Sequence, residues 1–275
     1  MSSAAGEPLS ATATTAENWL LLEMPVSWPR DISAEGVLSA SAQEAVTRWL
    51  ERTPASRLLF VRRPGRAADS ALAFVVHASE TTTAVRRITL EEPGDVADVD
   101  FEVDGDRIDR QLVLVCGHGS RDACCARRGV AVYGALAADV GDDVELWMSS
   151  HQGGHRFAAN VLVLPVGLQF GRVEPQNAAV MIAGARSGRI ELSCYRGRTC
   201  YPQVAQAAER VLRDALGLDL VADLQLEGIE GDVVRLRGRD GCEHDVAVNE
   251  IVGPLVPASC GAEPEPQTGF SARIA

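Results

Sequence analysis

Residues 112–129 read LVLVCGHGSRDACCARRG, and residues 147–160 read WMSSHQGGHRFAAN. The first segment is an apolar strand that runs into a glycine-rich loop and then into a helix-forming stretch. The second is an apolar strand that ends at two histidines. Cys116 and Cys125 are spaced C-x8-C, and His151 and His155 are spaced H-x3-H. Two thiols and two imidazoles in two close pairs form a metal-ligand set. Zinc accepts these donors tetrahedrally, although a small zinc finger keeps ~2–4 residues between its cysteines and about a dozen before its histidines. A 2Fe–2S cluster accepts them too, with two thiolates on one iron and two imidazoles on the other, as in Rieske centres. The spacing admits zinc, iron–sulfur or no metal.

The pattern around these segments is α/β. Residues 111–115 and 144–148 read as strands, joined by a helix with Val130, Tyr133, Ala137 and Val140 on one face. Gly153 and Gly154 lie between the histidines. Each costs about 1 kcal/mol in a helix interior, so a loop that passes close to a bound group is expected there. NVLVLP and LQFGRV then form a hairpin around Val166-Gly167, and Pro175 opens a helix that runs to about Ser187. Pro202 opens another, with Val204, Ala208, Val211, Leu212 and Ala215 on one face and Gly217 as its stop.

Upstream, residues 19–25 form a short apolar strand, and Ser41 with Glu44 reads as a capping box. The helix there presents Ala42, Ala45, Val46, Trp49 and Leu50, and strands follow at 57–61, 71–77 and 84–90. The acidic stretch from Glu91 to Asp109 marks a boundary. The expected organisation is a disordered tail over 1–17, an α/β module without metal ligands over 18–106, and a ligand-bearing domain over 107–219. A small β appendage follows over 220–261, then a second disordered tail over 262–275.

Four stretches, CGHGSRDACC, HQGGHRFAAN, YRGRTCYP (195–202) and PLVPASCG (254–261), resemble the sucrase/ferredoxin-like family. The resemblance runs from about Trp19 to Gly261. It implies a thioredoxin-like ferredoxin domain with a 2Fe–2S cluster held by Cys116, Cys125, His151 and His155. Cys125 rather than its neighbour Cys124 takes the ligand role through the alignment of Arg121 and Asp122. The implied activity is one-electron transfer to or from a redox protein, such as a reductase, with no substrate chemistry of its own. The alternatives are a thiol–disulfide oxidoreductase using Cys124–Cys125 or Cys194 and Cys200, and a zinc-stabilised interaction module.

Composition sets outer limits. The chain has 275 residues, 46% of them hydrophobic and 23% charged, as in a globular protein. A net charge of −12 and a pI near 4.9 oppose non-specific nucleic-acid binding. No apolar run approaches the ~18 residues of a membrane span. The first residues lack the basic and apolar regions of a secretion signal, and seven cysteines without one point to reduced thiols or metal in the cytoplasm. His77 ends a strand and reads as structural, and Cys242 with His244 reads as a turn. His118 either donates a hydrogen bond to a cluster sulfide or carries a proton, or is an exposed side chain.

Overall fold

The computed structural model describes residues 5–34, 36–65, 70–139, 141, 144–259 and 261–275. Val140, expected on the helix face, and Cys260, within the PASCG motif, lie outside them. The architecture is mixed α/β, as the pattern implies. Its centre is two parallel strands, β6 (Gln111–Cys116) and β7 (Val144–Ser149), in register from Gln111↔Val144 to Cys116↔Ser149. Helix α2 (Ala123–Asp139) makes the crossover that a parallel pair requires.

On one side of this pair lie β8 (Val161–Leu164), β9 (Leu168–Phe170) and β10 (Tyr195–Arg198), all antiparallel. On the other lie β2 (Ser56–Arg62), β1 (Asn18–Glu23), β3 (Ala71–Ala78), β4 (Thr83–Leu90) and the two-residue β5 (Asp106–Arg107). The segments read as two modules thus contribute adjacent strands to one ten-stranded sheet. The join is antiparallel pairing of β2 with β7 at Val61↔Ser149 and Arg62↔Met148.

Alternation along the strands gives the sheet two apolar faces. Leu20, Leu22 and Phe60 pack under α1 (Ala40–Arg52), which presents Ala42, Val46 and Trp49. Trp19, Leu21, Leu59 and Trp147 face the other way. Helix α1 begins two residues earlier than expected: Ser39, not Ser41, is the N-cap and accepts from the Ala42 N–H, while Glu44 pairs with Arg48 at 2.7 Å. Helix α3 (Pro175–Arg186) packs with α2 over Val113 and Val115. His77 is structural, with Nδ1 2.8 Å from Asn18 Oδ1.

Several expectations are corrected. In α2 the buried face is Cys125, Gly129, Val132 and Leu136, and Val130 is 53% exposed. The helix is turned so that Cys125 and Gly129, together with Val132 and Leu136, face β6 in place of Val130. In α4 (Gln203–Leu216) Ala215 is exposed while Glu209 and Arg213 are fully buried as an ion pair at 2.9 Å. Tyr195 Oη also donates to Glu209, and Arg213 donates to the Leu220 carbonyl. Satisfied in this way, charged residues take positions that a hydrophobic pattern assigns to apolar ones.

Among the described residues, neither expected tail is disordered. Leu9, Ala11 and Ala13 are buried, and Thr12, Thr14 and Ala16 bond to the main sheet region. At the other end, Pro264–Ile274 forms β14, paired with the long β13 (Glu243–Pro257). With β11 (Leu224–Glu230) and β12 (Val233–Gly238) it completes a four-stranded antiparallel sheet against α4. Small and polar residues carried these segments below any periodic signal; side chain to backbone bonds and strand pairing supply the order instead. Among the described residues no helix is long and apolar enough to cross a membrane.

Gly129 fixes how closely α2 lies on β6. A Cβ built there would stand 2.0 Å from the Cys116 carbonyl oxygen, a backbone atom that cannot swing aside. Gly134, on the same helix, has open space. Gly129→Ala should therefore cost about 1–3 kcal/mol or more by overpacking. Gly134→Ala should gain about 0.5–1 kcal/mol from helix propensity. Denaturant unfolding of both variants checks this, and equal stabilities would refute the close approach.

Candidate metal centre

Cys116 is the last residue of β6, and His151 lies two residues beyond the end of β7. Parallel pairing ends at Cys116↔Ser149, so both loops leave the sheet at one edge. The Gly117 N–H donates to the Ser149 carbonyl and holds the two exits together. Asp122 starts α2, its Oδ1 accepting from the Cys124 N–H at 2.7 Å. The first turn of that helix returns Cys125 to the strand end.

Cys116, Cys125 and His151 converge, with one ligand atom from each within 4.8 Å of the others. Cys116 and Cys125 are fully buried. The Cys116 sulfur accepts hydrogen bonds from the Cys125 thiol, the His151 ring and the His118 backbone N–H. The Cys125 bond leads in lowering the Cys116 pKa well below that of an ordinary thiol. Its partner Cys125 is pushed upward, first by the same bond and then by burial. Cys125 is thus the donor and Cys116 the acceptor of one shared hydrogen bond, and metal binding would displace that proton to give two thiolates.

His155 is not within the close triad. Its ring lies beside that of His151, with centroids 5.0 Å apart. Burial, then the neighbouring His151, lowers its pKa and favours the neutral ring that ligates metal. The Ala258 backbone approaches it from the C-terminal sheet, yet both ring nitrogens of His155 are buried without a hydrogen-bond partner. His151 Nδ1 is likewise unpartnered. Buried polar atoms are normally satisfied, so three orphaned imidazole nitrogens beside two thiols fit a site built for metal.

His118 is neither exposed nor aimed at the sulfurs. It is buried, with Nε2 2.7 Å from the Pro29 carbonyl and Nδ1 accepting from the His151 N–H at 3.2 Å. An Nε2–H tautomer satisfies both contacts. Its role is to set the backbone at His151. Cys124 is disulfide-bonded, unlike Cys116, Cys125, Cys194, Cys200 and Cys242. Burial pushes Cys194 up to about 12 and Cys200 up to about 11, which leaves both thiols protonated and poorly nucleophilic. Cys242 sits in an exposed turn whose N–H bonds to Asp240, and with His244 it joins no metal-ligand group among the described residues.

The sequence reading missed Arg196, although it lies within the YRGRTCYP motif. Arg196 is 1% exposed beneath the histidine loop. Its Nη1 donates to the Gly153 carbonyl at 3.0 Å and to Asn160 Oδ1 at 2.8 Å, and its other nitrogens bond to Thr12. Gly154 has a left-handed φ of +66°, and a Cβ there would come within 2.5 Å of the guanidinium. The Gly-Gly step thus lets the loop close over Arg196. Gln152 completes the support, donating to the Leu114 carbonyl and to Ser149 Oγ and accepting from Gln169.

Comparison with known proteins gives partial matches. The chain is 34% identical over 105 residues to altered inheritance of mitochondria protein 32 of Saccharomyces kudriavzevii, covering 34% of each. It is 34% identical over 99 residues to the protein of that name from Debaryomyces hansenii, covering 33% of this chain and 36% of the relative. The matches span about a third of the length of these relatives. Among solved structures, a thioredoxin-like [2Fe-2S] ferredoxin from Aquifex aeolicus aligns with 34% of this chain and 97% of its own, at 17% identity and a TM-score of 0.30. The sucrase/ferredoxin-like family model matches residues 9–197, from the buried N-terminal segment through the ligand loops to Arg196, and the chain belongs to that family.

Proposed function

We propose that the chain is a one-electron transfer protein with a 2Fe–2S cluster held by Cys116, Cys125, His151 and His155. The observation that carries this reading is the donor set: two buried, hydrogen-bonded thiols beside two half-buried imidazoles, three of whose four ring nitrogens lack partners. Two thiolates suit one iron and the histidine pair the other. His155 stands outside the close triad, which favours a binuclear group over a single tetrahedral zinc. Such a cluster supplies one-electron reduction and oxidation. The protein's own residues hold and screen it: His118 sets His151, Arg196 and Asn160 set the histidine loop, and α2 covers the sulfurs.

A second reading draws on Cys124, which is disulfide-bonded and adjacent to Cys125. It makes the chain a thiol–disulfide oxidoreductase. The raised pKa values of Cys194 and Cys200 remove the other pair from that role.

Metal analysis of anaerobically purified protein tests the proposal directly. About two irons and two acid-labile sulfides per chain are expected; stoichiometric zinc without sulfide would sink it. Ligand identity is checked by absorbance. Cys125→Ser should lose or alter the visible bands and Cys124→Ser should keep them, whereas the reverse would reassign the site. Exchanging His151 and His155 for cysteine should preserve a cluster and lower its potential, toward the ~−400 mV of plant-type ferredoxins, because thiolates stabilise oxidised iron. An unchanged potential would remove the histidines from the ligand set.

A further inference from the structure

Several arginines in this chain meet carboxylates, among them Arg63 with Glu145 at 2.9 Å, Arg210 with Asp214 at 2.8 Å and Arg235 with Asp245 at 2.8 Å. Beside the metal centre Arg156 also pairs, with Glu7 at 2.8 Å, but four others do not. Among the described residues, Arg30, Arg121, Arg127 and Arg128 have no carboxylate within ion-pair distance. Arg30, Arg127 and Arg128 are exposed. The Arg128 Nη1 donates to the Ala158 carbonyl at 3.1 Å, and Ala158 packs on Cys116 and Cys125. That guanidinium is therefore anchored against the wall of the centre.

Two cavities flank the site. One, of about 480 Å³, is lined by Cys124 with Arg127, Arg128 and Arg172, against a single carboxylate, Glu174. The other, of about 430 Å³, is lined by His151 with Arg30, Arg57 and Arg121, against a single carboxylate, Asp31. Each is cationic and concave, and each borders a proposed ligand or its chain neighbour. The whole chain nevertheless carries −12. Steering at a docking face is set by charges within about a Debye length, ~8–10 Å at physiological salt, so the local sign governs approach to this edge.

We propose that this face is the docking surface for an acidic electron-transfer protein, whose carboxylates seat in the two arginine-lined cavities on either side of the metal centre. It rests on the electron-transfer reading and specifies the partner for it. Guanidinium forks bind carboxylates bidentately, and cavities of this size take acidic side chains from a protein surface. The overall negative charge opposes a nucleic acid, whose phosphates extend far beyond the patch.

Two measurements test it. In the first, the dithionite-reduced protein is oxidised by hexacyanoferrate(III) in stopped flow. One electron leaves the protein, hexacyanoferrate(III) becomes hexacyanoferrate(II), and no bond breaks. If the arginine face governs encounter, the rate falls with salt, by roughly threefold or more between about 10 and 200 mM. If net charge governs, the rate rises with salt, and the proposal is overturned. Arg30→Glu and Arg127→Glu, at exposed residues without ion pairs, should each flatten or reverse the slope while the visible spectrum stays unchanged. Slopes that stay as in the parent chain in both variants would also overturn it.

The second measurement is calorimetric binding of a hexaglutamate peptide to the same protein, with and without metal. Binding that weakens at least fivefold in each variant supports the surface. A chain that binds the peptide but cannot be reduced keeps the docking face and loses the electron-transfer reading. One that is reduced but binds no peptide loses the docking face alone. Tighter binding of an oligodeoxythymidylate of equal charge would replace the protein partner with a nucleic acid.

Discussion

The parallel pairing of β6 with β7 is the constraint from which the site follows. Parallel strands end at the same edge of a sheet, so a cysteine closing one and a histidine loop leaving the other must meet. The register places Cys116 opposite Ser149, which puts His151 two residues beyond that edge. The same pairing demands a crossover, and α2 is that crossover. Its first turn brings Cys125 back to the strand end, and Gly129 lets the helix lie against the Cys116 carbonyl. Two cysteines and a histidine from distant segments converge, with His155 beside them, through a single topological requirement.

That edge is stiffened from three directions. Ser150 bonds through its N–H to the Phe60 carbonyl and through its Oγ to the Phe60 N–H, tying the histidine loop to β2. The N-terminal segment crosses the loop, with the Thr14 hydroxyl donating to the Gln152 carbonyl and Thr12 accepting from Arg196. From the far side of the sheet, Gln169 on β9 accepts from the Thr14 N–H and donates to the same Gln152 carbonyl. Much of the chain outside the ligand-bearing domain therefore acts as support for four residues.

What the sequence made legible tracks the physics of each signal. Strands with apolar runs, the hairpin at Val166-Gly167, the helix from Pro175 and the stop at Gly217 are local features, and they stand where the pattern places them. The convergence of Cys116, Cys125 and His151 was legible because cysteine and histidine pairs have few other uses at such spacings. Glu209 and Arg213 were not, since their burial depends on one another and on Tyr195 across the fold. Nor was the order of residues 7–16, whose bonds reach partners some 140 to 190 residues away. Those contacts leave no periodic trace. The rotation of α2 escaped for a related reason: close backbone approach at Gly129 outweighed the burial of Val130.

Arg196 shows how the site balances its charge. A guanidinium buried without a carboxylate is costly, and burial pushes its pKa down to about 9, with Arg156 acting in the same direction. It is retained because its donors are filled by carbonyls, Thr12 and Asn160, and because the Cys116 thiolate lies close enough to pull its pKa back up. Arg57, whose guanidinium reaches the His151 carbonyl, feels the same thiolate. Two cations are thus set against the sulfur side of the centre from beneath the histidine loop. A thiolate pair taken out of water is destabilised unless such charges face it. The YRGR segment, silent in metal-ligand terms, supplies one of them on β10, and the glycines between the histidines make room for it.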